Sequence, residues 1–387
     1  MMHRSEPKSR VEKLIKRSLH CSLQLSFPRR TPSEAPPTTP GIVFNIDGVL
    51  YNKLGALYQA SQTLKYLQDM KIPFVFLTNR WRDTPSEGAT WVRQTFDLTD
   101  ISPTQYIHSP SPFATLAPHF SNELVLFAGL NPERAKSMGE LFGFSNIITP
   151  GEVYSMYPEF YSGFVPLALT APATSTTKIK AVFVFDNPKR PDQDKQLIVD
   201  LLLSKRGVVG TLSSKNGKRQ LTNRGYQQHE QPRIWFGAAL PFRDTLFEHV
   251  YEKTGREMIN ATTFGKPSPE NFSLAETRLL EWHHQIHGAD ALKIDAIWMI
   301  GDNIETDILG ANLYNLDGSH SMCSWKTILV STGVYRPGML SGRPTKYWPT
   351  LLSTGVWDVV QLALRQKEDQ LWWMNGGGNW DEANSDN

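Results

Sequence analysis

Cysteine is nearly absent: the 387 residues hold two, Cys21 and Cys323. That excludes a disulfide framework and argues against a cysteine-based zinc site. No apolar run approaches the ~18–20 residues of a bilayer-spanning helix, so no membrane span is expected. An excess of one charge is also lacking. Lys and Arg number 40 against 38 Asp and Glu, a net of +2 that is too small to point to nucleic acid. Internal repeats are missing as well. What is there is an ordinary globular mixture, 40% hydrophobic and 20% charged, long enough for about two domains or one domain with a large insertion.

The near-neutral total hides an asymmetry. Residues 1–40 carry eight Lys/Arg and three Asp/Glu, which leaves the body slightly acidic. Between Ser9 and Leu25 the residues Val11, Leu14, Ile15 and Leu19 fall on one side at helical spacing, with Arg10, Lys13, Lys16 and Arg17 on the other. A Pro/Ser/Thr run from Thr31 to Pro40 follows. This composition is that of a mitochondrial transit peptide and linker, and it predicts a location in the mitochondrial matrix. A basic tail without an address is the alternative, toward which Glu6 and Glu12 weigh.

The body alternates strands and helices. Gly41–Asn45, Ile72–Asn79, Asp295–Ile300 and Thr327–Ser331 read as buried parallel strands, and Leu57, Ala60, Leu64, Leu67 and Met70 mark a helix. The economical reading is an α/β doubly wound parallel sheet. Further strand and helix pieces at Glu123–Gly129, Ala181–Phe185 and Asp194–Leu203 are interrupted by stretches Pro166–Thr177 and Ser213–Gln231. They predict an inserted α/β domain over 109–239, with the core formed by 41–108 and 240–370 and a disordered Gly/Asn/Asp-rich tail over 371–387.

In such sheets ligands sit outside the carboxyl ends of the strands. Asn45-Ile46-Asp47, Thr78-Asn79 and Gly301-Asp302 all fall there, and Lys266 stands apart in the chain. An apolar strand ending Asp-x-Asp-Gly, a strand ending in Thr or Ser, a distant Lys and a Gly-Asp-(x)4-Asp together describe a phosphoryl-transfer site. One Asp attacks phosphorus, a second acts as acid and base, and the hydroxyl and backbone N–H groups bind the phosphoryl oxygens. The Lys neutralises charge, and the last acidic pair holds Mg²⁺ through hard oxygen ligands.

The segments GIVFNIDGVL, FVFLTN, FGKPSPENF and IWMIGDNIETDILGANL resemble the haloacid dehalogenase (HAD) superfamily, class IIA, whose α/β cap of C2 type lies between the second and third motifs. His108–Pro110, Gly143–Thr149 and Ser331–Pro337 resemble the cat eye syndrome critical region protein 5 type within it. The resemblance covers roughly residues 41–365. It implies a HAD-type Rossmann-like core with Asp47 as acid/base and carbonyl metal ligand, Thr78 and the Asn79 amide toward phosphate, and Lys266 as charge partner. It also implies Asp302 as a Mg²⁺ ligand supported by Asp307.

The departure is at the nucleophile, whose position holds Asn45. A neutral amide is a poor nucleophile and a weaker metal ligand, so Mg²⁺ affinity is expected to fall. Arg80-Trp81-Arg82 replaces the small residues usual after the second motif, and Thr222-Asn223-Arg224 lacks the acidic residue that relatives tend to carry in the cap. Three functions follow. The first is a pseudo-phosphatase that binds a phosphorylated small molecule or a partner. The second is an active Mg²⁺-dependent small-molecule phosphatase. The third is a structural or assembly component of a mitochondrial complex, for which Leu371-Trp372-Trp373-Met374 offers aromatic anchors, although a helix end folded on its own core explains that stretch more simply. His283, His284 and His287 read as a solvated helix face, and Ser268-Pro269 reads as a helix start.

Overall fold

Every residue of Pro40–Phe44 is buried, as a run of Gly, Ile, Val and Phe without polar alternation demands of a strand covered on both faces. The computed structural model describes residues 39–81, 83–161, 176–228, 230–288, 293–318, 321–361 and 363–364. The basic segment before Thr39, most of the Pro166–Thr177 stretch and the aromatic tail all lie outside the described residues.

In chain order the strands begin with β1 (Thr39–Phe44), a hairpin of β2 (Tyr51–Asn52) and β3 (Gly55–Ala56), β4 (Phe74–Leu77) and β5 (Tyr106–Ile107). Then come β6 (Val125–Ala128), β7 (Ile147–Ile148), β8 (Ala181–Val184), β9 (Arg233–Phe236) and β10 (Ala261–Thr263). β11 (Ile294–Gly301), β12 (Ser324–Val330) and β13 (Leu351–Ser353) follow. One sheet has the order β13-β12-β11-β1-β4-β5, with all its pairs parallel. A second, also parallel, has the order β10-β9-β8-β6-β7.

Contacts divide the chain into two compact units. In the first, alternate residues of one strand serve opposite faces of the sheet. Phe44, Phe76, Trp298 and Ile300 join one apolar cluster, while Val43, Val75, Ile297 and Met299 join another with Phe272 and Leu279. Apolar layers on both faces are what a doubly wound sheet requires, and the expected Rossmann-like α/β architecture is present. Helix Pro269–His287 begins where Ser268-Pro269 predicted. Its buried Glu276 accepts hydrogen bonds from Met322 N–H at 2.6 Å and Trp325 Nε1 at 2.8 Å, which anchors the entry into β12.

The second unit runs past the boundary at 239 to Asn271, and it takes in residues 79–85 as well. The reason is pairing and packing. β10 pairs with β9, and helix Pro241–Thr254 places Phe242, Leu246 and Val250 in the same apolar cluster as Val182 and Ile234. Trp81 packs on that cluster, and its indole N–H donates to Asp186 Oδ1 at 3.3 Å. The bulky departure after the second motif therefore has a packing role within this unit. Among the described residues no helix is long and apolar enough to cross a membrane.

Candidate functional site

β1 ends at Phe44, opposite Ile300 on one side and Phe76 on the other, so the next residue of each strand emerges at the same sheet edge. The Asn45 N–H donates to the Ile300 carbonyl at 2.9 Å and extends the ladder by one step. The chain then turns. The Ile46 carbonyl accepts the N–H groups of Leu50 at 2.9 Å and Tyr51 at 3.1 Å, and the Gly48 N–H donates to the Tyr51 carbonyl at 2.7 Å. Gly48 has φ +82°, and a Cβ there would overlap the Asp302 carboxylate and lie 2.9 Å from Gly333 Cα. Both the backbone angle and the space demand glycine.

β11 delivers Asp302 to the same edge. Asp307 is fully buried on a π-helical turn, Ile304–Ile308, and its Oδ2 accepts the N–H groups of Asp302 at 3.1 Å and Asn303 at 3.0 Å. Asp307 thus holds the loop that carries Asp302. β12 supplies the third wall. Thr332 Oγ1 donates to the Gly48 carbonyl at 2.6 Å, and the Val334 N–H donates to Asp302 Oδ2 at 2.7 Å. Gly333 passes so close to the Asp302 carboxylate that it has no room for a side chain. Thr78 follows β4, buried, with its N–H donating to the Ile107 carbonyl at 3.0 Å.

The Asn45 side chain closes this arrangement. Nδ2 donates to Asp302 Oδ1 at 2.9 Å and to the Asp47 backbone carbonyl at 2.7 Å. Turned over, the amide would set its Oδ1 against two acceptors, so the neighbours fix its orientation. The Asp47 side chain itself is exposed.

Asn45, Asp47, Thr78, Asp302 and Asp307 therefore share one sheet edge in the first unit. Asn79 and Lys266 belong to the second unit. There the Asn79 side chain clasps the Lys266 backbone: Nδ2 donates to the Lys266 carbonyl at 3.0 Å and Oδ1 accepts the Lys266 N–H at 2.7 Å. Asn271 holds the preceding residue in the same way, with Oδ1 accepting the Gly265 N–H at 2.7 Å and Nδ2 donating to the Ser109 carbonyl at 3.0 Å. The Asn79 side chain is a positioning group. The Asn271 contact was not foreseen from the sequence, and neither was the clamp of Thr332, Gly333 and Val334. A Gly three residues past the end of the buried strand β12 was the one available signal for the clamp. His283, expected on a solvated face, is buried with its ring centroid 4.8 Å from that of His287.

The arrangement does not fit a resident magnesium ion. Two of the oxygens expected to bind it, Asp302 Oδ1 and the Asp47 carbonyl, face an N–H donor of the third residue of the set.

A family profile described as haloacid dehalogenase-like hydrolase matches residues 42–144, and a second, described as HAD-hydrolase-like, matches 263–359. The chain belongs to the haloacid dehalogenase-like superfamily. The two matched segments contain Asn45, Asp47, Thr78 and Asn79 in the first and Lys266, Asp302 and Asp307 in the second. The stretch between them holds most of the second unit.

A cardiolipin synthase (CMP-forming)/mitochondrial hydrolase fusion protein of Schizosaccharomyces pombe is 29% identical over 331 residues, covering 83% of this chain and 52% of that longer protein. A mitochondrial hydrolase of Saccharomyces cerevisiae is 27% identical over 355 residues, covering 84% of this chain and 95% of its own. Among solved structures, glycerol phosphate phosphatase from Mycobacterium tuberculosis in complex with magnesium aligns with a TM-score of 0.50 at 16% identity, over 82% of this chain and 75% of that one. That likeness is one of fold.

Proposed function

We propose that this HAD-like chain is a mitochondrial pseudo-phosphatase of the cat eye syndrome critical region protein 5 type, which binds a phosphate monoester and does not cleave it. One observation carries the reading: the nucleophile position holds Asn45, whose amide N–H donors are engaged by the Asp47 carbonyl and Asp302 Oδ1. Attack on phosphorus needs an anionic oxygen, and a carboxamide has none. Asp47 keeps its place as acid and base, but the step it would serve lacks its attacking group. Against a metal-free site with Asp at this position, losing one carboxylate lowers the repulsion of a phosphate dianion. The roles that the resemblance gives to Thr78, the Asn79 N–H and Lys266, as donors and cation toward a phosphoryl group, belong to this reading.

The mitochondrial part rests on the basic amphipathic N-terminal segment and on two relatives named mitochondrial hydrolases, and the matrix is the compartment that such a segment addresses. The deciding experiment compares wild type with Asn45→Asp on p-nitrophenyl phosphate and a panel of phosphate monoesters, with Mg²⁺ and with chelator. The wild type is expected to show no turnover above background, and Asn45→Asp to gain Mg²⁺-dependent turnover. Wild-type hydrolysis at rates of about 1 s⁻¹ or faster would overturn the reading.

A further inference from the structure

We infer that the Asn45 side-chain amide takes the place of a divalent cation, so that the sheet-edge cluster of the first unit is complete without metal. A metal at this edge would draw together the Asp302 carboxylate and the Asp47 carbonyl. Here one NH2 group does so, with bonds of 2.9 Å and 2.7 Å. The other Asp302 oxygen accepts the Val334 N–H at 2.7 Å, so each carboxylate oxygen faces an N–H donor. Asp302 is only 3% exposed, and a buried carboxylate survives only when its charge is met in this way.

A cation entering this gap must first turn the amide away and break both of its hydrogen bonds. The gain is correspondingly smaller, because the incoming ligand would be a neutral amide oxygen in place of a carboxylate. Asn45→Asp reverses every part of this balance. It removes the two donors and sets a second carboxylate across a gap spanned by a single hydrogen bond, where like charges repel unless a cation lies between them.

This inference stands apart from the loss of catalysis. A wild type that turned over phosphate esters without metal would overturn the proposed function and leave the amide bridge intact. A wild type that bound Mg²⁺ and stayed inactive would do the reverse.

The test is thermal unfolding of the full chain, wild type and Asn45→Asp, in EDTA and across a Mg²⁺ titration at constant ionic strength. The wild-type midpoint is expected to stay in place. Asn45→Asp is expected to melt below wild type in EDTA and to rise by roughly 3–6 °C when Mg²⁺ is about tenfold above its dissociation constant. A wild-type midpoint that climbs with Mg²⁺ overturns the inference, as does an Asn45→Asp chain as stable as wild type in EDTA. Should that variant not fold, equilibrium dialysis of the wild type against Mn²⁺ decides. No retained ion supports the bridge, and one ion per chain overturns it.

Discussion

Asn45 and Asp302, 257 residues apart in the chain, are joined by a hydrogen bond of 2.9 Å from amide to carboxylate. They meet because β1 and β11 are parallel neighbours with Phe44 opposite Ile300, so each strand releases its polar residue at the same level of the sheet. The rest of the cluster is built around this pair. Asp307 fixes the Asp302 loop, Val334 holds the second carboxylate oxygen, and Gly48 and Gly333 leave the space.

The two glycines are expected to be intolerant for related reasons. Gly48→Ala meets the Asp302 carboxylate with φ at +82°, and Gly333→Ala meets the same carboxylate oxygen, Oδ2. Each should destabilise the chain by about 3 kcal/mol or more, with the loss measured by urea unfolding. Gly355→Ala, with nothing within 4 Å of the added Cβ, is the control and should stay within about 0.5 kcal/mol of wild type. Equal tolerance at all three positions would mean that the loops are looser in solution than this packing requires.

Asn79→Ala removes both bonds of the clasp on Lys266. The Lys266 N–H then loses its acceptor, and its hydrogen exchange should speed up by about tenfold or more, while exchange in helix Pro241–Thr254 stays unchanged. Heteronuclear NMR on the labelled chain reads both. Unchanged protection at Lys266 would show that the segment is held by other contacts.

Much of the first sheet was legible because its strands are covered on both faces and so read as unbroken apolar runs. Pro40–Phe44 and Phe74–Leu77 are buried at every position. β5 and β7 have two residues each and offer no pattern to read. β10 is Ala-Thr-Thr and only half-buried, so the second unit could not be followed past 239. At the site, the side chains that emerge from strand ends were readable, and so was the missing carboxylate. The direction of the Asn45 amide was not, because it is set by an acceptor 257 residues away. The Val334 contact was hidden for a different reason, since a backbone N–H leaves no mark on the residue type.

Acid should weaken the second unit through His108. Its imidazole is fully buried against Phe142, with Nδ1 on Ser111 Oγ, and burial holds its pKa down to about 3 from 6.5. Below pH 6.5 the unfolded chain takes up a proton that the folded chain refuses. Stability is therefore complete above pH 6.5, falls by about 1.4 kcal/mol per unit as pH drops toward 3, and levels off below that. His108→Gln should remove this slope, whatever its cost at neutral pH. Urea unfolding of both chains at pH 7.5, 5.5 and 4.5 measures the difference, and parallel profiles would place His108 in contact with solvent.

Asp200 should act with the opposite sign. It lies near the end of helix Pro191–Leu203, where burial raises its carboxyl pKa to about 7, against the lowering effects of the Gln196 amide at 2.7 Å and the charge of Lys253. The helix carbonyl end adds a further disfavour to negative charge. Between pH 3.8 and about 7 the folded chain holds the proton more tightly than the unfolded one does. Its contribution is then fully present below pH 3.8, declines as pH rises through that window, and is lost above it. Asp200→Asn keeps the shape and an acceptor for Gln196 but removes the charge. The variant should melt above wild type at pH 8, with the gap closing as pH falls to 4. Melting curves at the two pH values test this, and a variant less stable than wild type at pH 8 would show that the Lys253 attraction outweighs the burial.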